Sequence, residues 1–317
     1  MLMQAMQLQA YGGPDALRLV EIDAPTAGAG QLSVRVRCAS VNPVDWKRAS
    51  GSLRFIMPVH FPAVPTYDIA GEVAGLGLGL SGFEVGQRVH ARIAQLSAGG
   101  AAQYAVVDAK VVATIPDDMD FADAAALPLA GMTALQALRD VANMAMANAR
   151  ERVLVIGASG GVGHFGVQIA KAAGAYVAGV CSTRNIEMVR GLGADAVIDY
   201  TQANCYAGVA PFDVVLDCIG AAPGACAQVM TPRARYVSVI PGPSTFLWPM
   251  LHPFSNQRVR ACMLKASSAE LEQLDDMWRR GVLKAVIDSR FPLAQLGAAW
   301  QRSMSGRAVG KIVIDVS

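Results

Sequence analysis

Charge is scarce in this sequence. Asp, Glu, Lys and Arg make up 16% of its 317 residues, and the formal net charge is +2. The charges are scattered, so the concentrated basic face that nucleic-acid binding requires is missing. The six cysteines form no C-x-x-C pair and fit small buried side chains in a reducing compartment. No charged segment followed by an apolar one opens the chain, and charged or turn residues interrupt the apolar stretches. A soluble, cytoplasmic protein with no membrane span is therefore expected. Against these absences stands a hydrophobic content of 53%, enough for a large core and too high for disorder. The length suggests two domains.

The stretch that organises the rest is VLVIGASGGVGHFGVQIAKAAGA, Val153 to Ala175. Val153 to Ile156 reads as a strand buried on both faces. A glycine-rich turn follows, and Val167, Ile169, Ala170 and Ala173 then mark the buried side of a helix. A second strand is expected at Tyr176–Val180, closing a right-handed crossover. Strand, glycine turn and helix in that order suit a dinucleotide pyrophosphate. Small residues let the backbone approach, and the free N–H groups and dipole of the helix favour the anion. Gly157, Ser159, Gly160, Gly161, Val162 and Gly163 are the expected contacts. His164 reads as a flank of this turn rather than a base.

Before this stretch the pattern is β. A strand begins at Met6, Tyr11–Asp15 is a turn, and Leu17–Ile22 is a second strand. Leu32–Ala39 alternates like a half-buried antiparallel strand. Strands are also expected from Tyr67 to Gly75, near Val85–Val89 and over Ala102–Val107, which together imply a barrel-like domain. Within Ser40–Gly51, Pro43 holds Asn42 extended at a strand end. Asp120 can cap a helix that Pro128 and Gly131 break and that resumes over Thr133–Leu138. Beyond Val153, strands are expected at Ala196–Ile198, Val214–Asp217, Tyr236–Ile240 and Val259–Leu264. Helices are expected at Ile186–Leu192, Ala221–Met230 and Ala269–Arg280, and this alternation gives a parallel sheet. The tail, with strands at Ala285–Phe291 and Lys311–Val316 about a helix at Leu293–Met304, could return to pair with the first domain.

Nine segments in order resemble the quinone oxidoreductase (zeta-crystallin-like) branch of the medium-chain dehydrogenase/reductase superfamily. They are YGGPDAL, ASVNPVDWKRASG, YDIAGEVAGLG, LPLAGMTALQAL, the glycine stretch above, NIEMVRGLGADAVIDY, FDVVLDCIG, RYVSV and GRAVGKIVIDV. The resemblance implies an α/β fold: a GroES-like β-barrel domain from both chain ends, 1–122 and 282–317, around an inserted Rossmann doubly wound parallel sheet, 123–281. It also implies a homodimer or homotetramer. Zinc-dependent members carry metal ligands where Asn42, Tyr67 and Leu129 fall here, and those side chains cannot supply zinc with its three or four N, S or O donors. No metal is expected.

A NAD-specific Rossmann unit ends its second strand with an acid. Here that strand runs into Ser182, Thr183 and Arg184, with no acid until Glu187. Arg184 can fork onto a 2′-phosphate that a carboxylate would repel, and the family's phosphate-contacting tyrosine matches Tyr200. NADP(H) is the expected cofactor, although Tyr200 also reads as an aromatic packed at a strand end. The matching reaction passes a hydride to a small quinone or to an α,β-unsaturated carbonyl, whose oxygen needs a hydrogen-bond donor. Candidate catalytic residues are Asn42, Lys47 and Tyr67. Asn42 also reads as a contact to the nicotinamide carboxamide or as an Asx turn, Lys47 as a solvated lysine, and Tyr67 as core. Thr133 resembles the family's nicotinamide neighbour, or else bonds back to its own helix. Phe246–Met250 could roof a substrate pocket or form a subunit contact. A trans-acting enoyl-thioester reductase and a non-catalytic NADPH-binding protein are the alternative readings. A short-chain reductase is set aside, because no tyrosine has a lysine four residues on and because its glycine motif normally opens the chain.

Overall fold

The computed structural model describes residues 1–93 and 99–316. In chain order it has β1 (Leu2–Gln7), β2 (Arg18–Asp23), β3 (Gln31–Val41), α1 (Pro43–Ala49), β4 (Asp68–Leu76), β5 (Arg88–Arg92), β6 (Tyr104–Asp108), β7 (Val112–Thr114), α2 (Phe121–Ala126) and α3 (Pro128–Gln136). Then come β8 (Arg152–Ile156), α4 (Gly163–Ala172), β9 (Tyr176–Cys181), α5 (Ile186–Gly191), β10 (Ala196–Asp199), β11 (Phe212–Asp217), β12 (Met230–Ser238), α6 (Pro243–Leu251) and β13 (Arg258–Ala261). The chain closes with α7 (Ser268–Arg279), β14 (Ile287–Pro292), α8 (Leu296–Met304) and β15 (Lys311–Asp315). Two compact units result: Met1–Leu129 with Ala266–Arg279 and Ala285–Ser317, and Ala130–Lys265 with Arg280–Lys284. Among the described residues no helix is long and apolar enough to cross a membrane.

In the first unit the alternation along β3 buries Leu32, Val34 and Val36 and leaves Arg35 exposed. β3 is the spine of this unit. β4 pairs along one edge, while β6 and β15 share the other, all antiparallel. The tail therefore does return to the first strands, through Ile312 opposite Val41 and Ile314 opposite Ala39. Leu32, Val34, Ile69, Val89, Leu296, Trp300 and Ile314 fill the core between the sheet and α8. Helix α7 belongs to this unit. His90 on β5 explains why: its ring nitrogens meet the Ala124 carbonyl at 2.9 Å and the Asp275 carboxylate at 3.0 Å, fully buried.

In the second unit all strands run parallel, in the order β10-β9-β8-β11-β12-β13. This is the doubly wound arrangement, whose strand order reverses between β8 and β11 and so opens a ligand crevice beyond their carboxyl ends. Asn42 is extended, as Pro43 implies, with φ −127° and ψ 149°; α1 and α6 form where no helix was expected, and the expected helices differ at α3 and after Ala221. Pro43–Ala49 is helical, because Pro43 takes the first helical position, where its missing N–H costs nothing. Pro128 likewise begins α3 rather than ending α2, and Gly131 lies inside that helix. Phe246–Met250 lies within α6, where Phe246 is 63% and Met250 75% exposed. The expected helix at Ala221–Met230 is instead a run of tight 3-10 turns over Pro223–Val229.

Candidate functional site

In the second unit the glycine turn between β8 and α4 is built by close approach. Gly157 has a φ of +77°, which favours glycine. A Cβ on Gly163 would lie 2.1 Å from the Gly157 carbonyl oxygen, and one on Gly166 2.5 Å from Leu216. These contacts bring α4 down onto the strands and aim its first turn past their ends. The amides of Gly161 and Val162 have no acceptor among the described residues, which leaves donors for an anion. The His164 ring is buried and spans 2.9 Å to the Gly160 carbonyl, so it braces the turn.

Two further residues frame this turn, and the sequence reading missed both. Asn185 donates to Ser159 Oγ at 2.9 Å and to Ser182 Oγ at 3.4 Å, tying the glycine turn to the end of β9. Asp217, fully buried at the end of β11, accepts from the amides of Ile219, Gly220 and Ala221 at 3.0–3.1 Å and from Ser238 Oγ at 2.8 Å. It thereby shapes the loop that carries Ile219 against Gly157. An acid closing a strand before a glycine was the available signal.

Ser182, Thr183 and Arg184 leave β9 beside Tyr200, because Cys181 pairs with Asp199 across the strands. Arg184 is exposed and Tyr200 is 61% exposed. An acid does stand here, supplied by the neighbouring strand: Asp199 accepts from Thr183 Oγ1 at 2.6 Å and from Thr201 Oγ1 at 2.7 Å. Those hydrogen bonds hold its carboxyl down at about 2. Thr133 is buried on α3, and its carbonyl lies 3.9 Å from Cys262 Sγ.

In the first unit three strand ends meet. The β3–β15 register sets Lys311 beside Asn42, and the β3–β4 register sets Asp68 opposite Ser40. Lys311 Nζ donates to Asn42 Oδ1 at 2.5 Å and to the Val41 carbonyl at 3.3 Å, and lies 3.7 Å from Asp68. Asn42 Nδ2 donates to Asp68 Oδ2 at 2.8 Å and to the Ser40 carbonyl at 3.4 Å. Asp68 also accepts from Ser40 Oγ at 3.1 Å and from the Leu129 amide at 3.0 Å. Asn42, Asp68 and Lys311 are buried. Burial pushes Asp68 up and Lys311 down, and each charge opposes the shift of the other. Both amide hydrogens of Asn42 are thus engaged within the chain.

Asp45 on α1 accepts from the Asn42 amide at 2.7 Å, and burial raises its carboxyl to about 8. Tyr67 is 2% exposed and accepts from Arg48 Nη1 at 3.0 Å; burial raises its phenol, and Arg48 opposes the shift. Lys47 is half-buried, with Nζ 5.5 Å from the Trp46 ring centroid. The structure thus gathers Asn42, Asp45, Asp68, Tyr67, Arg48 and Lys311 about one end of the sheet.

Two family models match the chain: an alcohol dehydrogenase GroES-like domain over residues 28–117 and a zinc-binding dehydrogenase over residues 192–314. The zinc in the second name does not fit the donors present. Asn42 is committed to an ammonium and a carboxylate, Tyr67 is covered by Arg48, and Leu129 has no side-chain donor. A chloroplast envelope quinone oxidoreductase homolog of Arabidopsis thaliana is 36% identical over 99% of this chain and 98% of its own. An NADPH-dependent alkenal/one oxidoreductase of the same plant is 32% identical over 98% of this chain and 79% of its own. Among solved structures, the quinone oxidoreductase from Coxiella burnetii aligns over 100% of both chains, with a TM-score of 0.90 and 28% identity. The chain belongs to the quinone oxidoreductase branch of the medium-chain dehydrogenase/reductase superfamily.

Proposed function

We propose that this chain is an NADPH-dependent oxidoreductase acting on a small quinone or on an α,β-unsaturated carbonyl. The observation that carries the reading is the glycine turn with its open amides at Gly161 and Val162, in a chain related end to end to named quinone and alkenal/one oxidoreductases. When bound, the cofactor supplies a hydride. The turn Gly157–Gly163, with Ser159, would hold the pyrophosphate, and Thr133 would border the nicotinamide. Ser182, Arg184 and Tyr200 would take the 2′-phosphate, with Arg184, an exposed residue, as its main counter-charge; the Thr183 hydroxyl donates to Asp199 and is not offered to the ligand.

In the first unit the roles divide by burial. Lys47, which is half-buried, would donate to the acceptor's oxygen as charge develops there. Asn42 and Tyr67, both buried, would act as positioning residues: Asn42 by linking Lys311 to Asp68, Tyr67 by anchoring Arg48. The same reading carries a cytoplasmic location and a homodimer or homotetramer, whose mass light scattering measures.

The test follows NADPH absorbance against a panel of quinones, enals, enones and enoyl thioesters. Turnover with quinones or enones supports the reading. Turnover with enoyl thioesters alone transfers the assignment to an enoyl reductase, and binding of NADPH without turnover overturns catalysis.

A further inference from the structure

Crossovers in a parallel sheet usually carry a helix that covers the strands they join. The link between β10 and β11, residues 200–211, carries no helix and consists of turns and irregular chain. Its residues Gln202, Cys205, Gly208, Val209 and Ala210 line a cavity of about 480 Å³ together with residues of the sheet. Ala178, Ala196, Ile198 and Phe212 give its lining an apolar floor, and Cys205 and Val209 belong to its wall.

Arg152 stands at one end. Its guanidinium carbon lies 4.1 Å from the Tyr176 ring centroid and 5.2 Å from that of Phe212. Nε donates to the Pro211 carbonyl at 3.0 Å, and neither terminal nitrogen has a partner among the described residues. The stacked rings and the Nε bond fix the fork in place and leave its outer edge open. Asp199 marks the far end, its carboxylate already taken by Thr183, Thr201 and Gln202. Arg152 sits opposite Tyr176 and Asp199 opposite Cys181. At about 3.3 Å per residue the two charges are therefore roughly 16 Å apart along the strands. The cavity has a cation at one end and an apolar middle, and its volume is within the range of small-molecule sites.

The geometry points to a second ligand site here, for an amphipathic carboxylate whose head lies on Arg152 and whose apolar body lies along Ala178, Ala196 and Ile198. A planar guanidinium with a free edge matches a carboxylate in two parallel hydrogen bonds. The site stands on residues separate from the glycine turn and does not depend on the reaction proposed above.

The test titrates decanoate and decanol by calorimetry into the full chain, into Arg152→Gln and into Ala196→Phe, which fills the floor. Alkylation of Cys205 by iodoacetamide, mapped by mass spectrometry, reports occupancy at the wall. Decanoate should bind one to one and slow Cys205 alkylation. It should weaken at least tenfold in Arg152→Gln and be lost in Ala196→Phe, whereas decanol should bind weakly and ignore Arg152→Gln. Equal binding of the two probes, decanoate binding that survives both substitutions, or unprotected Cys205 would each overturn the site. Should Arg152→Gln fail to fold, Ala196→Phe and the comparison of probes decide.

Discussion

Replacing Lys311 by Met removes a buried cation from the junction of β3, β4 and β15 while keeping an apolar stem of similar length. Asn42 Oδ1 and the Val41 carbonyl lose their donor, and Asp68 loses the ammonium at 3.7 Å. Removing one partner of a buried pair costs about 3–5 kcal/mol, because the other charge is left uncompensated. Asp68 has a way to reduce that cost. It keeps the donors Asn42, Ser40 and the Leu129 amide, and it can take up a proton. Burial already raises its pKa and Lys311 is the main opposing influence, so the substitution raises it further. A carboxyl with a higher pKa folded than unfolded binds the extra proton in the native state between those two values. Stability therefore falls as pH climbs through that window and stays low above it. The loss in Lys311→Met should accordingly be about 3–5 kcal/mol at pH 8 and at least about 1 kcal/mol smaller at pH 5. Urea unfolding at both pH values measures it. The double variant Lys311→Met/Asp68→Asn should regain at least about 1 kcal/mol over Lys311→Met at pH 8, as expected for residues in direct contact. A loss below about 1 kcal/mol at both pH values, or one that is equal at the two, would refute the idea that this ammonium keeps Asp68 ionised.

Four other substitutions probe the rest of the molecule. Asp45, raised to about 8 by burial, binds a proton folded that it loses unfolded. Stability should fall between about pH 4 and pH 8, and Asp45→Asn, which can still accept from Asn42, should flatten that slope; an unchanged profile would remove Asp45 as its source. Arg184→Ala should raise the KM for NADPH about tenfold, the loss of one charged hydrogen bond, with less than a twofold change for NADH; equal changes would sever the link to the 2′-phosphate. Asp217→Ala strips three amides and the Ser238 hydroxyl of their acceptor. It should cost about 3 kcal/mol or more in thermal unfolding, and Asp217→Asn clearly less; a neutral Asp217→Ala would mean that water serves the loop equally well. Gly163→Ala drives a Cβ to within 2.1 Å of the Gly157 carbonyl and should abolish dinucleotide binding measured by calorimetry. Gly191→Ala, which has nothing within 4 Å, should leave it intact.

The second unit was the more legible from sequence because its signals are local. Val153–Ile156, the glycines and the helix behind them lie within one crossover, and hydrophobic period alone separates strand from helix there. Proline conceals two helix starts. Asn42-Pro43-Val44-Asp45 carries a polar N-cap residue, proline at the first helical position and an acid at the third, which is a helix start. Pro128, a breaker by composition, likewise begins a helix. The turn after Ala221 has helical composition, yet Asp217 binds the loop amides just before it, and the segment continues as tight turns.

The buried cluster was illegible for a different reason. Lys311, read in sequence, is a lysine at a strand start, and Asp68 an acid in a strand. Their pairing arises only because β15 aligns Ile312 with Val41 and β4 aligns Asp68 with Ser40, across separations of hundreds and tens of residues. Asn42 shows the consequence. Its position drew it toward a substrate contact, but the register supplies an ammonium to its oxygen and a carboxylate to its nitrogen, so its polarity is spent inside the protein. Asp199 shows the same effect in the second unit. The acid missing from the end of β9 is delivered to Thr183 by the neighbouring strand. In both cases the residue types were plain in the sequence, and strand register decided which of them meet.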